Sequence, residues 1–444
     1  MAKYLKCGHL FEGTNDTLLK DQILIIDNER IVFSGGSSNA PPPQKNDEII
    51  DYSQKFVLPG LIDIHVHLSY GNAQANEDVD MYAPPEFRAL RALLASQKVL
   101  AAGYTSLADP ASTNRVSTSV RDAINSGMFV GPRITSSGRQ ITARQGLGDW
   151  YPTWIGVPES SVGVLVRNTD EAIEEIRMQV KDRVDFVKFT ADGLHRNSNG
   201  ELMACFNQKE LDSMVEECHR LGVKTIAHAR GREAVLYSAR AGVDIIFHAF
   251  EMDKEGLEEV SKSGATLSPA LTFLVNTVEF TRKSDPCFKW RPNMNRNDVE
   301  IACEMLIEAH KMGIPFMVGS DSGFAVTPYG EWHARELEIM VKYLGFSPGE
   351  ALKCTTSENS KLLREGNSVG RLATGAFADI TVVNCNPLED ITTLQDAKNI
   401  EDVYLNGNRV DFSNSGNFAP FNWEHSYRQW NEVYTRERIK ELAH

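Results

Sequence analysis

Short apolar runs alternate with amphipathic stretches of helical period through the middle of this chain, and that alternation constrains the fold more than any other feature. The strand-like runs fall at residues 60–67, 104–108, 133–137, 185–190, 225–229, 244–249, 266–270 and 315–321. Helical patterns at 85–102, 117–126, 170–180, 208–221, 232–241, 254–262 and 298–311 lie between most of them. Eight strands alternating with helices predict an α/β chain with a (β/α)8 TIM-like barrel. The stretch 138–170 breaks the rhythm after the third strand and is expected as an insertion at the barrel mouth.

The two ends read differently. Runs at 22–26 and 30–33 joined by Asp27, Asn28 and Glu29 predict a hairpin, and Pro41, Pro42 and Pro43 mark a loop. The same texture returns at 379–383, and at 403–405 and 409–410 around the Asn406-Gly407-Asn408 turn. One small β-sandwich domain built from both termini is expected. The predicted organisation is residues 1–56 and 367–420 for the two parts of that sandwich, 57–366 for the barrel, and 421–444 for a helical tail packed on the surface or on a second subunit.

The chain has the material for a large core, with 42% apolar residues, and it carries 46 basic against 60 acidic side chains, a net charge of −14. That balance repels phosphate backbones and excludes a nucleic-acid partner. No apolar run reaches the ~18 residues a membrane span needs, and Met1–Cys7 lacks the apolar core of a secretory signal. The seven cysteines are scattered without a CxxC pair. A cytoplasmic protein with reduced thiols and no membrane partner is expected.

The chemistry sits at the strand ends. His65 and His67 close the first run and, two apart on a strand, point the same way. His228, His248 and Asp321 close the fifth, sixth and eighth runs. Barrel enzymes keep their active sites at that end. Lys188 stands inside the apolar fourth run, where an unpartnered ammonium is expensive. Its neutral amine can instead add CO2, giving a carbamate whose two oxygens bridge two cations. His65, His67 and Asp321 would hold one metal ion and His228 with His248 the other. A hydroxide between the ions would be the nucleophile, and Asp321 would move the proton.

With these residues in view, the chain resembles the amidohydrolase superfamily of metal-dependent hydrolases. The motifs are Val57-Leu58-Pro59-Gly60-Leu61-Ile62-Asp63-Ile64-His65-Val66-His67, the Asp321 region, and Gly375-Ala376-Phe377-Ala378-Asp379-Ile380-Thr381-Val382-Val383. Lys188 followed by Ala191-Asp192-Gly193, and Gly242-Val243-Asp244-Ile245-Ile246-Phe247-His248, are similar to the imidazolonepropionase-like branch, which includes metal-dependent Xaa-Pro dipeptidases and ochratoxin-type amidases. The resemblance implies a binuclear site, commonly zinc with manganese, cobalt or iron as alternatives, a carboxylated lysine at Lys188, and a homo-oligomer. It departs at Gln145-Gly146-Leu147-Gly148, where the branch often has Gly-Gly-His-Gly, and at Arg230, where dipeptide-cleaving members often carry Tyr.

The reading is a hydrolase of an amide-like C–N bond (amide, carbamate, urea or N-acyl amino acid) in a small molecule. Arg230 and Arg144 are candidate partners for a substrate carboxylate, and His195 a further substrate contact. The alternative is a mononuclear deaminase or a cyclic amide hydrolase on the same fold. A deaminase would place Glu three residues after the fifth-strand histidine, where Gly231 stands; Glu251 follows His248 instead. A scaffold that has lost its ligands is disfavoured because all six are present. His333 and Glu336 are read as lying on a solvated helix face.

Overall fold

The computed structural model describes residues 1–281, 295–413 and 433–442; Cys287, His425 and most of the expected tail lie outside them. In the N-terminal region, Lys3–Phe11 pairs antiparallel with Leu18–Asp27 and parallel with Glu48–Pro59. The expected first hairpin is Leu18–Asp27 with Arg30–Gly36, turned at Asn28 in the left-handed region that Asn tolerates. The C-terminal hairpin, Ile400–Leu405 with Asn408–Arg409, is also present. Ile380–Val383 joins the two halves, pairing Glu48–Pro59 on one side and Ile400–Leu405 on the other. The termini thus build one mixed seven-stranded sheet, and no second facing sheet is assigned there among the described residues. The strands of the expected sandwich form that single ladder, with its own apolar cluster of Leu5, Leu10, Leu24, Val57, Ile380 and Tyr404. Gly407 is required where the halves meet, because a Cβ there would lie 2.1 Å from the Asn28 carbonyl oxygen.

In the middle region Leu61–Asp63, Tyr104–Asp109 and Arg133–Ser136 form a parallel three-stranded sheet. Phe186–Thr190, Lys224–Ala229, Ile245–His248 and Thr266–Ser268 follow in a second parallel sheet. The 138–170 insertion contributes Gln140–Thr142 and Gly163–Leu165 to that sheet's other edge. The two sheets are not one continuous closed ladder. Hydrogen bonds bridge both seams. At one, Asp185 N donates to Ser136 O at 2.8 Å. At the other, residues 315–321 run between Thr266–Ser268 and Leu61–Asp63, with Met317 N donating to Leu267 O and Ile64 N to Val318 O.

That eighth segment makes isolated bridges rather than the expected regular strand. A side chain takes the place of part of its ladder. Asn359, fully buried, accepts from Val318 N at 2.8 Å and donates to Val318 O at 2.8 Å and Ile62 O at 2.6 Å. Ile62, Phe186, Ile226, Ile245, Phe247 and Met317 form a core cluster distinct from the larger one involving the helices. The helices begin and end as the sequence patterns require. Asn207 and Glu210 form a reciprocal cap on Gln208–Arg220, and Gly242 in the left-handed region stops Arg232–Ala241. Among the described residues no helix is long and apolar enough to cross a membrane.

Replacing Asn359 with Ala removes three buried hydrogen bonds and strands the Val318 N–H, while Val318 O keeps Ile64 N and Ile62 O keeps Thr355 Oγ1 as donors. At about 1–3 kcal/mol for the orphaned N–H and about 1 kcal/mol for each further hydrogen bond lost, a loss of roughly 3 kcal/mol in urea unfolding is expected, against under ~0.5 kcal/mol for an exposed control such as Asn199→Ala.

Candidate metal centre

His65 and His67 lie just beyond Leu61–Asp63 rather than within a strand. Their Nε2 atoms nevertheless converge to 3.1 Å. Asp321 Oδ1 completes a triangle, 3.4 Å from His65 Nε2 and 3.2 Å from His67 Nε2. His248 joins this group: its ring centre is 5.4 Å from that of His65 and 4.5 Å from that of His228. His65, His248 and Asp321 each offer a ligand atom within 4.8 Å of the others.

His248 reaches the group by leaving strand geometry. Ile245 and Phe247 belong to the interior cluster, so regular alternation would send His248 to the other face. Its φ of 75° turns the imidazole back toward His228. Asp321, with φ 53°, is strained in the same sense. Such strain at two strand ends facing one pocket is characteristic of functional sites.

Lys188 is buried, with Nζ 4.0 Å from the Phe247 ring centre. Burial pulls its pKa down to about 7, with the Asp321 charge opposing. Burial also holds His65 and His248 well below the usual imidazole range and lowers His67. Asp321 is pushed up by burial, but its bond to His67 and the charges of His67, His248 and Lys188 outweigh this and hold it low. The set is therefore neutral imidazoles plus one carboxylate, the protonation state in which these groups ligate metals. Bonds of about 2.0–2.2 Å to a common ion place ligand atoms roughly 3.0–3.5 Å apart in tetrahedral or octahedral arrangements. The observed triangle has that size. His65 Nδ1 and His248 Nδ1 are buried without a hydrogen-bond partner among the described residues.

Other residues hold the donors in place. Asp192, fully buried, accepts from Arg230 N and Gly231 N at 2.6 Å each, and its Oδ1 is 3.3 Å from His228 Nε2. That carboxylate orients the His228 ring. Asp63 Oδ1 accepts from His65 N at 2.9 Å and Ser320 N at 3.1 Å, tying the two segments that carry His65, His67 and Asp321. Asp63 Oδ2 accepts from His333 Nδ1 at 2.7 Å, since His333 Nε2 is itself the acceptor for Gly330 N. His333 and Glu336 are buried, correcting the solvated reading. His333 precedes the helix Arg335–Leu344, and Glu336, in its first turn, accepts from Leu271 N, Thr272 N and Thr272 Oγ1. Asp63, Asp192 and His333 were given no role by the sequence. The available signal was a carboxylate two residues before the histidine pair and another four after Lys188.

One pocket contains all six expected ligands and Arg230. Its remaining walls are mostly aromatic or aliphatic: Tyr70, Leu147, Trp150, Leu194, Phe250, Ala270, Phe273, Leu274 and Phe324, with Asn76 and Gln140 as polar contacts. The insertion reaches the mouth as expected, through Leu147 and Trp150. Trp150 is held by Asp80, which accepts its indole N–H at 2.7 Å. Arg230 is buried, donates from Nη2 to Gly193 O at 2.6 Å, and keeps Nε without a hydrogen bond, 3.8 Å from Asp192 Oδ1. Arg144 and His195 are exposed and do not line the pocket, which corrects both expectations. Arg144 sits on a solvated turn, and His195 alternates outward from the pocket-facing Leu194 on the strand Asp192–Arg196. Glu251 is paired with Arg196 at 2.5 Å and also lies off the pocket.

The comparisons agree with this geometry. An ochratoxinase of Aspergillus niger is 27% identical over 423 residues, spanning 90% of this chain and 85% of that one. An imidazolonepropionase of Idiomarina loihiensis is 21% identical over 88% of this chain and 92% of its own length. The crystal structure of a Xaa-Pro dipeptidase with bound methionine superposes with a TM-score of 0.79 at 26% identity, covering 93% of this chain and all of that one. These neighbours give the α/β architecture its TIM-like barrel assignment. The model of the Amidohydrolase family matches residues 56–410, and the chain belongs to that family.

Proposed function

We propose that this protein is a metal-dependent hydrolase that cleaves an amide-like C–N bond in a small molecule, with residues 57–366 as its catalytic unit. The observation that carries the reading is the triangle of His65 Nε2, His67 Nε2 and Asp321 Oδ1, all within 3.4 Å, in a pocket that also holds Lys188, His228 and His248. The name of the neighbouring Xaa-Pro dipeptidase, an enzyme of a peptide C–N bond, supports the bond type.

In this reading His65, His67 and Asp321 hold one divalent ion and His228 with His248 a second. Lys188, as the carbamate its nitrogen would form with CO2, would be a further ligand. When bound, the ions supply Lewis acidity that activates water and polarises the scissile carbonyl. The chain's residues do the rest. Asp321, held ionised, accepts the proton of the attacking water as the C–O bond forms. It then returns that proton to the leaving nitrogen as the C–N bond breaks. Asp192 and Asp63 keep His228 and His65 aimed while this happens. The aromatic walls exclude water and strengthen every charge interaction inside. Arg230, a lining residue of the pocket, binds a carboxylate of the substrate through its guanidinium. The deaminase reading lacks its proton shuttle: Gly231 stands where the carboxylate should be, and Glu251 is engaged by Arg196.

Metal analysis of the purified protein together with a panel of aryl amides and N-acyl amino acids tests the proposal. Two divalent ions per chain and C–N turnover are expected; turnover of phosphotriesters or lactones alone would reject it. Lys188→Ala should lose metal and activity together. Outer-shell changes at such sites lower affinity or activity about 10–100-fold, so removing a ligand should lower kcat/KM by roughly a hundredfold or more. Retention of both ions in Lys188→Ala would contradict the bridging role. Arg230→Gln should raise KM for N-benzoylglycine by about tenfold or more, the scale of one charge-assisted hydrogen bond, while leaving KM for N-benzoylglycinamide within twofold, read from steady-state kinetics.

A further inference from the structure

The tail packs beside the pocket. Residues 433–442 carry little apolar material: the helix Arg436–Leu442 offers Ile439 and Leu442, three apart on one side, among charged neighbours, and Tyr434 precedes it. That narrow stripe is committed to one place. Tyr434, 1% exposed, clusters with Val326, Phe273, Phe280, Phe324, Ile439 and Leu442. Its backbone is fixed on both sides, Tyr434 N donating to Ala325 O at 2.8 Å and Tyr434 O accepting the Trp332 indole N–H at 2.6 Å. The Arg438 guanidinium lies 4.6 Å from its ring centre. The expectation of a helix packed on the surface or on a second subunit resolves, for these residues, to packing on the chain's own pocket wall.

Phe273 and Phe324 belong both to this cluster and to the lining of the pocket. Their ring centres are 4.9 Å apart. Phe324 meets Tyr70 edge-on at 5.3 Å, and Tyr70 stacks on His67 at 4.1 Å with planes within 5°. A continuous series of packed rings therefore runs from the tail to a proposed metal ligand. The start of the helix Thr272–Phe280 is held by Glu336, and Asn276 ties its middle to Val326 O at 2.9 Å. The pair Phe273–Phe324 thus lines the cavity and shares one apolar cluster with the tail.

We propose that residues 433–442 are a specificity element of the pocket, with Tyr434 a positioning residue that fixes the Phe273–Phe324 wall against which an aromatic or other flat apolar group of the ligand packs. The proposal rests on the reading of this pocket as the substrate site, and deepens it. Aromatic pairs gain from particular offset or edge-on geometries, so a wall whose backing is lost loses affinity for a ring before it loses affinity for a small group.

N-benzylglycine and N-methylglycine contain no amide to hydrolyse and serve as probes, titrated calorimetrically into the full-length, metal-loaded protein. N-benzylglycine should bind the wild type more tightly. Tyr434→Ala should weaken it about tenfold, a loss typical of a disturbed aromatic contact, and change N-methylglycine less than twofold; Tyr434→Phe should restore the wild-type value. Ile439→Ala, which removes less of the backing, should shift the same ratio in the same direction by a smaller factor, so the outcome does not depend on Tyr434→Ala folding. Equal weakening of both probes, no weakening in folded variants, or no preference for the benzyl probe in the wild type would each overturn the proposal. Binding without any C–N turnover would reject the hydrolase reading and leave this one standing; turnover with unchanged probe affinities in the variants would do the reverse.

Discussion

Two imidazole nitrogens and a carboxylate oxygen packed within 3.4 Å of one another, away from bulk water, are a costly arrangement for a chain to hold without a cation among them. Much of the surrounding structure can be understood as the means of enforcing it. Asp63 pins the backbones that carry the histidine pair and Asp321, and His333 pins Asp63. Asn359 joins the same two segments one turn of the structure below, with amide bonds in place of a regular ladder. Positive φ at Asp321 is retained beside the Ser320 and Val318 backbones that these neighbours fix.

The parts of this arrangement that were legible in the sequence share one property: a polar side chain interrupting or ending an apolar run. Lys188, His228, His248 and Asp321 stand out on that criterion, and the two-residue spacing of His65 and His67 does the same. Strand alternation with helices likewise carries the barrel, since it depends on local hydrophobic period. Asp63, Asp192, His333 and Glu336 were not legible as site elements. Asp63 interrupts an apolar run as the ligands do but has no spacing partner to mark it, and the role of each comes from the donor that meets it in the fold: His65 N and Ser320 N for Asp63, Thr272 for Glu336. Arg144 and His195 illustrate the opposite error. Both are adjacent in sequence to pocket residues, but side-chain direction rather than proximity decides what reaches the cavity, and Leu147 and Leu194 face in instead. The terminal pieces were predicted to associate and do; that they form one mixed sheet depends on Lys3–Phe11 running parallel to Glu48–Pro59, which no turn signal specifies.

Electrostatics divides the molecule into two scales. The whole chain is acidic, with a net charge of −14, so its long-range field disfavours anions and is screened beyond about 8 Å at physiological salt. Inside the pocket the charged lining residues are Lys188, Arg230 and Asp321, besides the four histidines. In the proposed state, a pair of divalent ions outweighs one carbamate and one carboxylate, and Arg230 adds to the surplus. An anionic substrate group is then unfavoured at the surface and favoured only once inside. Recognition must therefore come from contact, not from steering, and contact here means one guanidinium and a set of rings. A pocket of that kind selects on the placement of a flat apolar group relative to a single anionic oxygen pair. In the proposed reading, the distance between Arg230 and the Phe273–Phe324 wall would be the variable on which discrimination between similar substrates turns.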